Sequence, residues 1–338
     1  MTSQAASFNE SSINNMNAAS TSKGPGGSES TIIEIAKDGD LVVEVIEYCS
    51  ILKNRKRPRS LEPAKSALFQ VSRYKLAEHS AVFNELLFGA GEEANRKRIT
   101  LKECNITSME LWFRIMHANI SSIHLEKISI IEMWHAVLAC DKYAIERDEI
   151  EPWFRMWWEA LSRKPLSNTD LCRMLLPCYY FRCWQGFMFW TKKLVYESMD
   201  AILNTNPIRT AHTCLRLPID IIKTLNITRR QIRNIIHDRL CSPIDKLAFS
   251  VNCKGQERVF DYIIELDRLD ASPLLPTFRR KSIRVILQRL EGFKETPGKA
   301  CIVHPTCAHY RYEFGTTVKD ACVAANNHFG GLDLSDWE

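Results

Sequence analysis

The chain has 338 residues, of which 45% are hydrophobic, and a formal net charge of +5. This length predicts two or three structural units with a sizeable core. The modest charge does not by itself argue for nucleic-acid binding, and no run approaches the ~20 apolar residues that a membrane-spanning helix needs.

The first 30 residues are mostly Ser, Asn, Ala and Gly, with Phe8 as the only aromatic residue. Such a segment buries too little apolar surface to offset the entropy of ordering it, so we predict a disordered tail over 1–30. It has neither the basic start nor the continuous apolar core of a signal peptide. We therefore expect an intracellular protein, in the nucleus or the cytoplasm.

Three strands are predicted in the next unit, residues 31–145. A turn at Asp38–Asp40 precedes a strand over 41–45, in which Val43 and Val45 share one face because successive strand side chains alternate. Residues 68–71 form its predicted partner strand. Alternating apolar residues at 99 and 101 predict a third.

Three amphipathic helices are predicted in the same unit. Ser80 can cap the first, and Thr107 with Glu110 has the spacing of a capping box for the second. Each helix carries an apolar stripe for the core. The stripes are Val82, Phe83, Leu86 and Leu87; Leu111, Trp112, Ile115 and Met116; and Ile130, Ile131, Trp134, Val137 and Leu138.

Several of these short motifs, in this order, resemble the BTB/POZ domain, and in particular the version that fungi carry in large numbers. They are the run from Asp38 to Val43, the stretch from Phe69 to Arg73 with Leu76, Ser80, Val82, Phe83, Leu86 and Leu87, and the segment from Leu138 to Tyr143. The resemblance implies an α+β fold, in which a small mixed sheet is covered by α-helices, and a module that holds protein partners.

Four residues lie on positions that this family uses, namely Asp40, Arg73, Ser80 and Tyr143. Each also has a structural role available, as turn, strand end, helix cap and core residue respectively. Family members that dimerise commonly carry an amphipathic helix ahead of the first strand, which residues 1–30 do not provide. Homodimerisation by that route is therefore not predicted.

A basic segment separates the first two predicted strands, where the family has a tight hairpin. We interpret it as an expanded loop, and three roles are open: a nuclear-import signal, a patch that contacts phosphates or acidic partners, or a solvated insertion. Its basic residues are Lys53, Arg55, Lys56, Arg57 and Arg59.

Residues 146–295 are predicted to be almost wholly α-helical. Aromatic residues are dense at helical spacing, and they indicate either a bundle core or a groove for a partner helix. Asn168–Asp170 should cap the second of these helices, and Pro177 should kink or break it. The aromatic and apolar positions are Trp153, Phe154, Trp157, Trp158 and Leu161, followed by Leu171, Leu175, Tyr179, Phe181, Trp184 and Phe187 to Trp190.

Further along, Pro218 is suited to a first helical turn and Thr228 to the cap of a second helix that carries Arg229, Arg230, Arg233 and Arg239. A basic helix after a short turn invites comparison with helix-turn-helix DNA readers, although helices with a solvated basic face are abundant. Another amphipathic helix is predicted over 278–290.

The C-terminal segment, residues 296–338, contains the candidate metal ligands. The chain has twelve cysteines, which without a secretory signal are expected to be reduced thiols or metal ligands. Thiolate and imidazole ligands suit a structural zinc ion, whereas the alternative is buried thiols and surface imidazoles. The preferred zinc ligands are Cys301, Cys307, His309 and Cys322, ahead of His304 and His328.

Motifs for catalysis are absent from the sequence: it has no glycine-rich phosphate loop, no nucleophile elbow and no His-Glu-x-x-His helix. We therefore predict a non-enzymatic protein without a cofactor other than the candidate zinc. One hypothesis is an adaptor that holds protein partners through the BTB-like unit and the helical region, with a substrate adaptor of a cullin-type ubiquitin ligase as one form. The other is a nuclear regulator that contacts nucleic acid through its basic segments. The family's cullin-contacting residues do not match positions here one by one.

Overall fold

A computed structural model of the chain describes residues 32–50, 61–91, 96–208, 215–247, 256–296 and 312–337. Over these ranges the fold is α+β, with eleven α-helices and a four-stranded mixed sheet, which confirms the α+β class of the predicted fold. None of the helices described is long and apolar enough to cross a membrane.

The four strands all end by Lys102, and the α-helices begin at Arg73. The strands are β1 (Ile32–Glu34), β2 (Leu41–Ser50), β3 (Leu61–Val71) and β4 (Arg98–Lys102). The helices are α1 (Arg73–His79), α2 (Ala81–Phe88), α3 (Ile106–Met116), α4 (Ile130–Lys142), α5 (Glu151–Ser162), α6 (Asn168–Tyr180), α7 (Trp184–Glu197), α8 (Ile219–Leu247), α9 (Gln256–Arg268), α10 (Ile283–Leu290) and α11 (Phe314–Asn327).

The sheet has the strand order β1-β3-β2-β4. Strands β2 and β3 are antiparallel, with Val43 opposite Phe69, whereas β1 and β4 run parallel to their neighbours. Val43 and Val45 are fully buried, and Val42 and Glu44 are partly exposed. The three predicted strands and the inward face of β2 are therefore confirmed, and β1 is an additional strand.

Most residues of the predicted helix stripes lie in or against the core, but Leu138 is only partly buried and two other residues are exposed. Val82 and Ile131 were predicted to be core residues, but both are exposed. Each is next in sequence to a buried residue and therefore lies about 100° around the helix from it. This position is outside the narrow face of the helix that contacts the core. In the same helices the core contains Leu87, which the stripe includes, and Met133, which it does not.

Helix caps differ from the prediction at two places. The α3 cap is Asn105, whose side chain accepts a hydrogen bond from the Ser108 amide at 2.9 Å, and not Thr107. The α6 cap is Ser167, which lies one residue before the predicted Asn168. Both corrections are small shifts between nearby cap-forming residues, a type of error expected where several such residues follow one another.

Helix α6 does not break at Pro177 but continues to Tyr180. A proline inside a helix leaves the carbonyl four residues earlier without its amide partner, and for Pro177 that carbonyl belongs to Arg173. The indole N–H of Trp134, on α4, donates to the Arg173 carbonyl at 2.9 Å. The chain reverses after α6 instead, where Arg182 adopts a φ of 53°.

The predicted helix over 278–290 is also shorter than expected. A 3-10 turn covers Pro276–Arg280, and α10 begins only after Ser282, whose hydroxyl accepts from the Val285 amide. The apolar stripe of α10 is nevertheless buried as predicted.

Aromatic side chains connect the sheet-containing unit to the helical region. The α5 residues Trp153, Phe154 and Trp157 are buried, and the Trp157 indole donates to the Ile128 carbonyl at 2.9 Å. The ring of Trp112 on α3 makes an edge contact with Phe181, with ring centroids 6.1 Å apart. These contacts confirm that the aromatic run is predominantly core, and one core cluster includes residues from position 35 to position 334.

Candidate functional site: a docking face on helix α2

Arg73 anchors the start of α1 to three other segments. Its amide donates to Asp40 Oδ1 at 2.8 Å, and its guanidinium donates to the carbonyls of Leu87 at 3.3 Å and Arg96 at 2.5 Å. The turn before β2, the end of α2 and the approach to β4 are thereby held together. Both Asp40 and Arg73 thus have structural roles.

Ser80 performs the same function at the other end of α1. Its hydroxyl accepts from the Phe83 amide at 3.0 Å and donates to the Tyr143 carbonyl at 2.5 Å. The Tyr143 ring stacks on Phe83 with centroids 5.0 Å apart, and its hydroxyl lies 3.0 Å from Cys104 Sγ. Burial raises the pKa of Tyr143 far above its usual value, so the hydroxyl stays protonated. The predicted cap and core roles are confirmed.

These contacts fix the inner side of α2 and leave its outer side exposed. Phe83 and Leu87 are buried, whereas Val82 is 38% exposed and Phe88 is 56% exposed. Val82, Glu85 and Phe88 are spaced three residues apart, so they lie along one side of the helix. We call these three residues the α2 stripe. It combines two large apolar side chains with one carboxylate on a rigidly mounted helix.

A concave surface lies between α7, α10 and α11, with a volume of about 760 Å³. Phe189 forms part of its wall, with Lys193 Nζ 5.7 Å from the ring centroid. Arg284 crosses the groove to Glu197 at 3.1 Å. Trp184 and Phe189 are the exposed aromatic residues of the run, so only a minor part of it is accessible to a partner.

The basic segment with Lys53, Arg55, Lys56, Arg57 and Arg59 lies outside the described residues. The antiparallel ladder of β2 and β3 extends to Ser50 and Leu61, so this segment joins two paired strand ends. Its role as import signal, phosphate patch or solvated insertion stays a prediction.

The predicted zinc ligands Cys301, Cys307 and His309, and also His304, lie outside the described residues too. Cys322 is on α11, where it is half-buried against the core, and His328 ends that helix in an exposed position. Burial raises the pKa of Cys322 to about 11, so its thiol is protonated at neutral pH. The four-ligand zinc site stays a prediction.

The helix-turn-helix comparison is wrong. Helix α8 runs without interruption from Ile219 to Leu247, and Thr228 lies within it. The run 225–227 contains neither Gly nor Pro, so nothing in it ends a helix. Two of the arginines in that comparison bind carbonyls of the same chain: Arg229 donates to Ser198 and Asp200, and Arg233 to Arg279 and Lys281.

Three further cysteines lie in the helical core, namely Cys172, Cys178 and Cys183. Burial raises the pKa of each thiol, so each stays protonated at neutral pH. Thiols of this kind act as small apolar side chains and are unreactive as nucleophiles.

No protein-family model matches the chain, and no curated protein is significantly similar to it.

Proposed function

We propose that this protein is a non-enzymatic adaptor for protein–protein interaction, resembling BTB/POZ proteins, with the α2 stripe as a partner-docking face. The observation that carries the proposal is the mounting of α2. Arg73 and Ser80 hold its two ends by hydrogen bonds, and Val82 and Phe88 nevertheless face outward. Large exposed apolar side chains on a rigid element are typical of protein-binding surfaces, because little entropy is lost when they bind.

The partner that fits this stripe is a protein surface with an apolar pocket flanked by a positive group. Val82 and Phe88 would enter the pocket, and Glu85 would pair with the cation. A cullin-type scaffold is the candidate that the BTB/POZ resemblance suggests. The groove between α7, α10 and α11 offers a separate place for a second protein, as an adaptor requires.

Affinity purification of the full chain followed by mass spectrometry tests this proposal. Phe88→Ala should remove the captured partner, since a central aromatic contact commonly contributes about 2 kcal/mol or more to binding. Phe260→Ala is the matched control, because Phe260 lies on α9, is 63% exposed and is the same residue type. Loss of the partner with both variants, or with neither, would contradict docking at the α2 stripe.

The same preparation separates the adaptor from a nuclear regulator that contacts nucleic acid through its basic segment. Binding to duplex DNA is measured over a range of salt concentrations, since phosphate contacts give a steep salt dependence. An adaptor binds DNA negligibly at physiological salt. The regulator would be favoured by tight, steeply salt-dependent binding that disappears when Arg55, Lys56 and Arg57 are replaced together by Gln.

A further inference from the structure

Three potential metal ligands converge where α1 ends and the chain leaves α4. They are His79, Glu146 and Glu149, and one nitrogen or carboxylate oxygen from each lies within 4.8 Å of the others. Neither the α2 stripe nor the predicted Cys/His cluster includes any of them. The group is the one set of this kind found in the described part of the chain.

Backbone contacts hold the two segments in register. Ser80 and Ile145 form an isolated antiparallel bridge, and the Glu146 amide donates to the His79 carbonyl at 3.0 Å. Glu149 follows in the 3-10 turn Arg147–Ile150, which is anchored by the fully buried Ile150. The three side chains therefore converge because the backbone places them there, and two of them are exposed carboxylates.

The imidazole of His79 supplies an independent observation. Its side chain is 15% exposed, and within the described residues its Nδ1 is buried without a hydrogen-bond partner. The nearest carboxylate oxygen, Glu149 Oε1, lies 3.6 Å away, which is too far for a hydrogen bond. Glu78 lies 3.7 Å from Nε2, on the opposite edge of the ring. A buried ring nitrogen without a partner is costly, and a ligand at Nδ1 would remove that cost.

We infer that His79 Nδ1, Glu146 and Glu149 bind a divalent transition-metal ion, with zinc as the best match. Magnesium and calcium prefer oxygen ligands alone, whereas an imidazole with carboxylates suits zinc and its neighbours in the first transition row. Two carboxylates and a neutral imidazole balance the charge of a divalent ion. Three protein ligands leave at least one position for water. The ion would join α1 to the 3-10 turn that leads into α5, and so brace the sheet-containing unit against the helical region.

The test is calorimetric titration of the full chain with zinc after treatment with a chelator, under reducing conditions. Because Cys301 and Cys307 could bind zinc independently, the titration uses the Cys301→Ser/Cys307→Ser background. One zinc ion should bind per chain. Glu146→Gln and Glu149→Gln should each weaken binding at least about tenfold, which is the size of effect that even supporting groups of metal sites show.

Glu78→Gln is the matched control, because Glu78 faces the other nitrogen of the same imidazole. The zinc affinity of this variant should equal that of the background chain. His79→Gln should abolish binding, and the two glutamate variants, being exposed, keep the test decisive if His79→Gln does not fold. Cobalt substitution gives a second measurement: at this site it should lack the thiolate-to-cobalt charge-transfer band of a cysteine site. Absence of binding in the background chain, or unchanged affinity in both glutamate variants, would overturn the inference.

Discussion

At the scale of single residues, Trp134 connects two helices that are distant in sequence. Its indole is buried, and its N–H is bonded to the carbonyl of Arg173 that Pro177 leaves without a helical partner. A proline inside a helix is destabilising by about 3 kcal/mol or more, in part through that lost bond. One side chain thus fills the core and also explains how α6 continues past its proline.

Two substitutions at Trp134 separate these contributions. Trp134→Phe keeps most of the packing and leaves the Arg173 carbonyl unpaired, so the free energy of unfolding should fall by about 1–3 kcal/mol. Trp134→Ala also creates a cavity and should cost about 3–5 kcal/mol. Urea denaturation measures both, with Trp184→Phe as the control because Trp184 is exposed. A Phe variant as stable as the parent would show that the indole hydrogen bond contributes nothing.

Gly331 is a second residue whose identity is fixed by its surroundings. It has a φ of +118°, and a Cβ there would lie 2.3 Å from the Met188 carbonyl oxygen on α7. The adjacent Leu332 amide donates to the buried Thr191 hydroxyl at 2.9 Å, so the C-terminal segment is attached to α7 at this point.

Gly331→Ala should therefore lower the free energy of unfolding by more than about 1 kcal/mol, because alanine disfavours this backbone conformation and clashes with α7. Gly330→Ala is the adjacent control, since a Cβ at Gly330 meets nothing within 4 Å. Thermal denaturation of the two variants provides the comparison. Equal melting temperatures would mean that the C-terminal segment does not pack on α7 as described.

At the scale of elements, His117 joins the end of α3 to the start of α1. Its Nε2 accepts from the Ser72 amide at 2.8 Å, and its Nδ1 lies 2.7 Å from the Phe113 carbonyl, so the neutral tautomer with a proton on Nδ1 fits both contacts. Burial lowers the pKa of His117 below its usual value of 6.5, against a raising effect of the Phe113 carbonyl. Burial also lowers the pKa of His135 on α4.

These shifts predict the direction of the pH dependence of stability. Below about pH 6.5 the unfolded chain binds protons that the folded chain does not, so the free energy of unfolding falls as the pH decreases through that window toward the lowered folded-state pKa. His117→Gln should reduce this slope, with the contribution of His135 left in place. Urea titrations between about pH 7 and about pH 5 measure it. If His117→Gln left the pH dependence of the free energy of unfolding intact, the assignment of part of that dependence to His117 would be contradicted.

Local sequence signals predicted most elements but not their limits. Ser80 was identified as a cap because a hydroxyl precedes an apolar helical pattern, and the structure confirms it. At α3 and α6 several cap-forming residues lie close together, and tertiary packing selects Asn105 and Ser167. Pro177 was expected to interrupt α6 because proline removes a helical hydrogen bond. No local pattern shows that Trp134 donates to the carbonyl that is left without a partner.

The candidate docking face could be predicted only in part from the sequence. Periodicity placed Val82 with the core residues Phe83 and Leu87, because neighbouring positions on a short helix cannot be assigned to inner and outer faces without the packing. The His79 cluster gave no signal, since His79 and Glu149 are far apart in the chain and are brought together by the Ser80–Ile145 bridge. Contacts of this kind depend on topology rather than on local pattern.

At the scale of the whole molecule, the sheet-containing unit and the helical region share one core. Trp134 and Trp157 each donate an indole N–H to a backbone carbonyl of the other unit, and Trp112 packs against Phe181. This arrangement keeps α2 in a fixed orientation relative to the groove between α7, α10 and α11. A fixed relation between the two surfaces proposed to bind partners is what an adaptor would need to hold two proteins at a defined separation.

The most direct test of the adaptor proposal is hydrogen–deuterium exchange of the full chain with and without its captured partner. Binding at the α2 stripe should slow exchange over residues 73–88, because burial of the outer face of α2 suppresses local opening of α1 and α2. Helix α9, with exposed Phe260, should exchange at the same rate in both samples. Unchanged exchange over 73–88, with protection confined to other helices, would contradict the account.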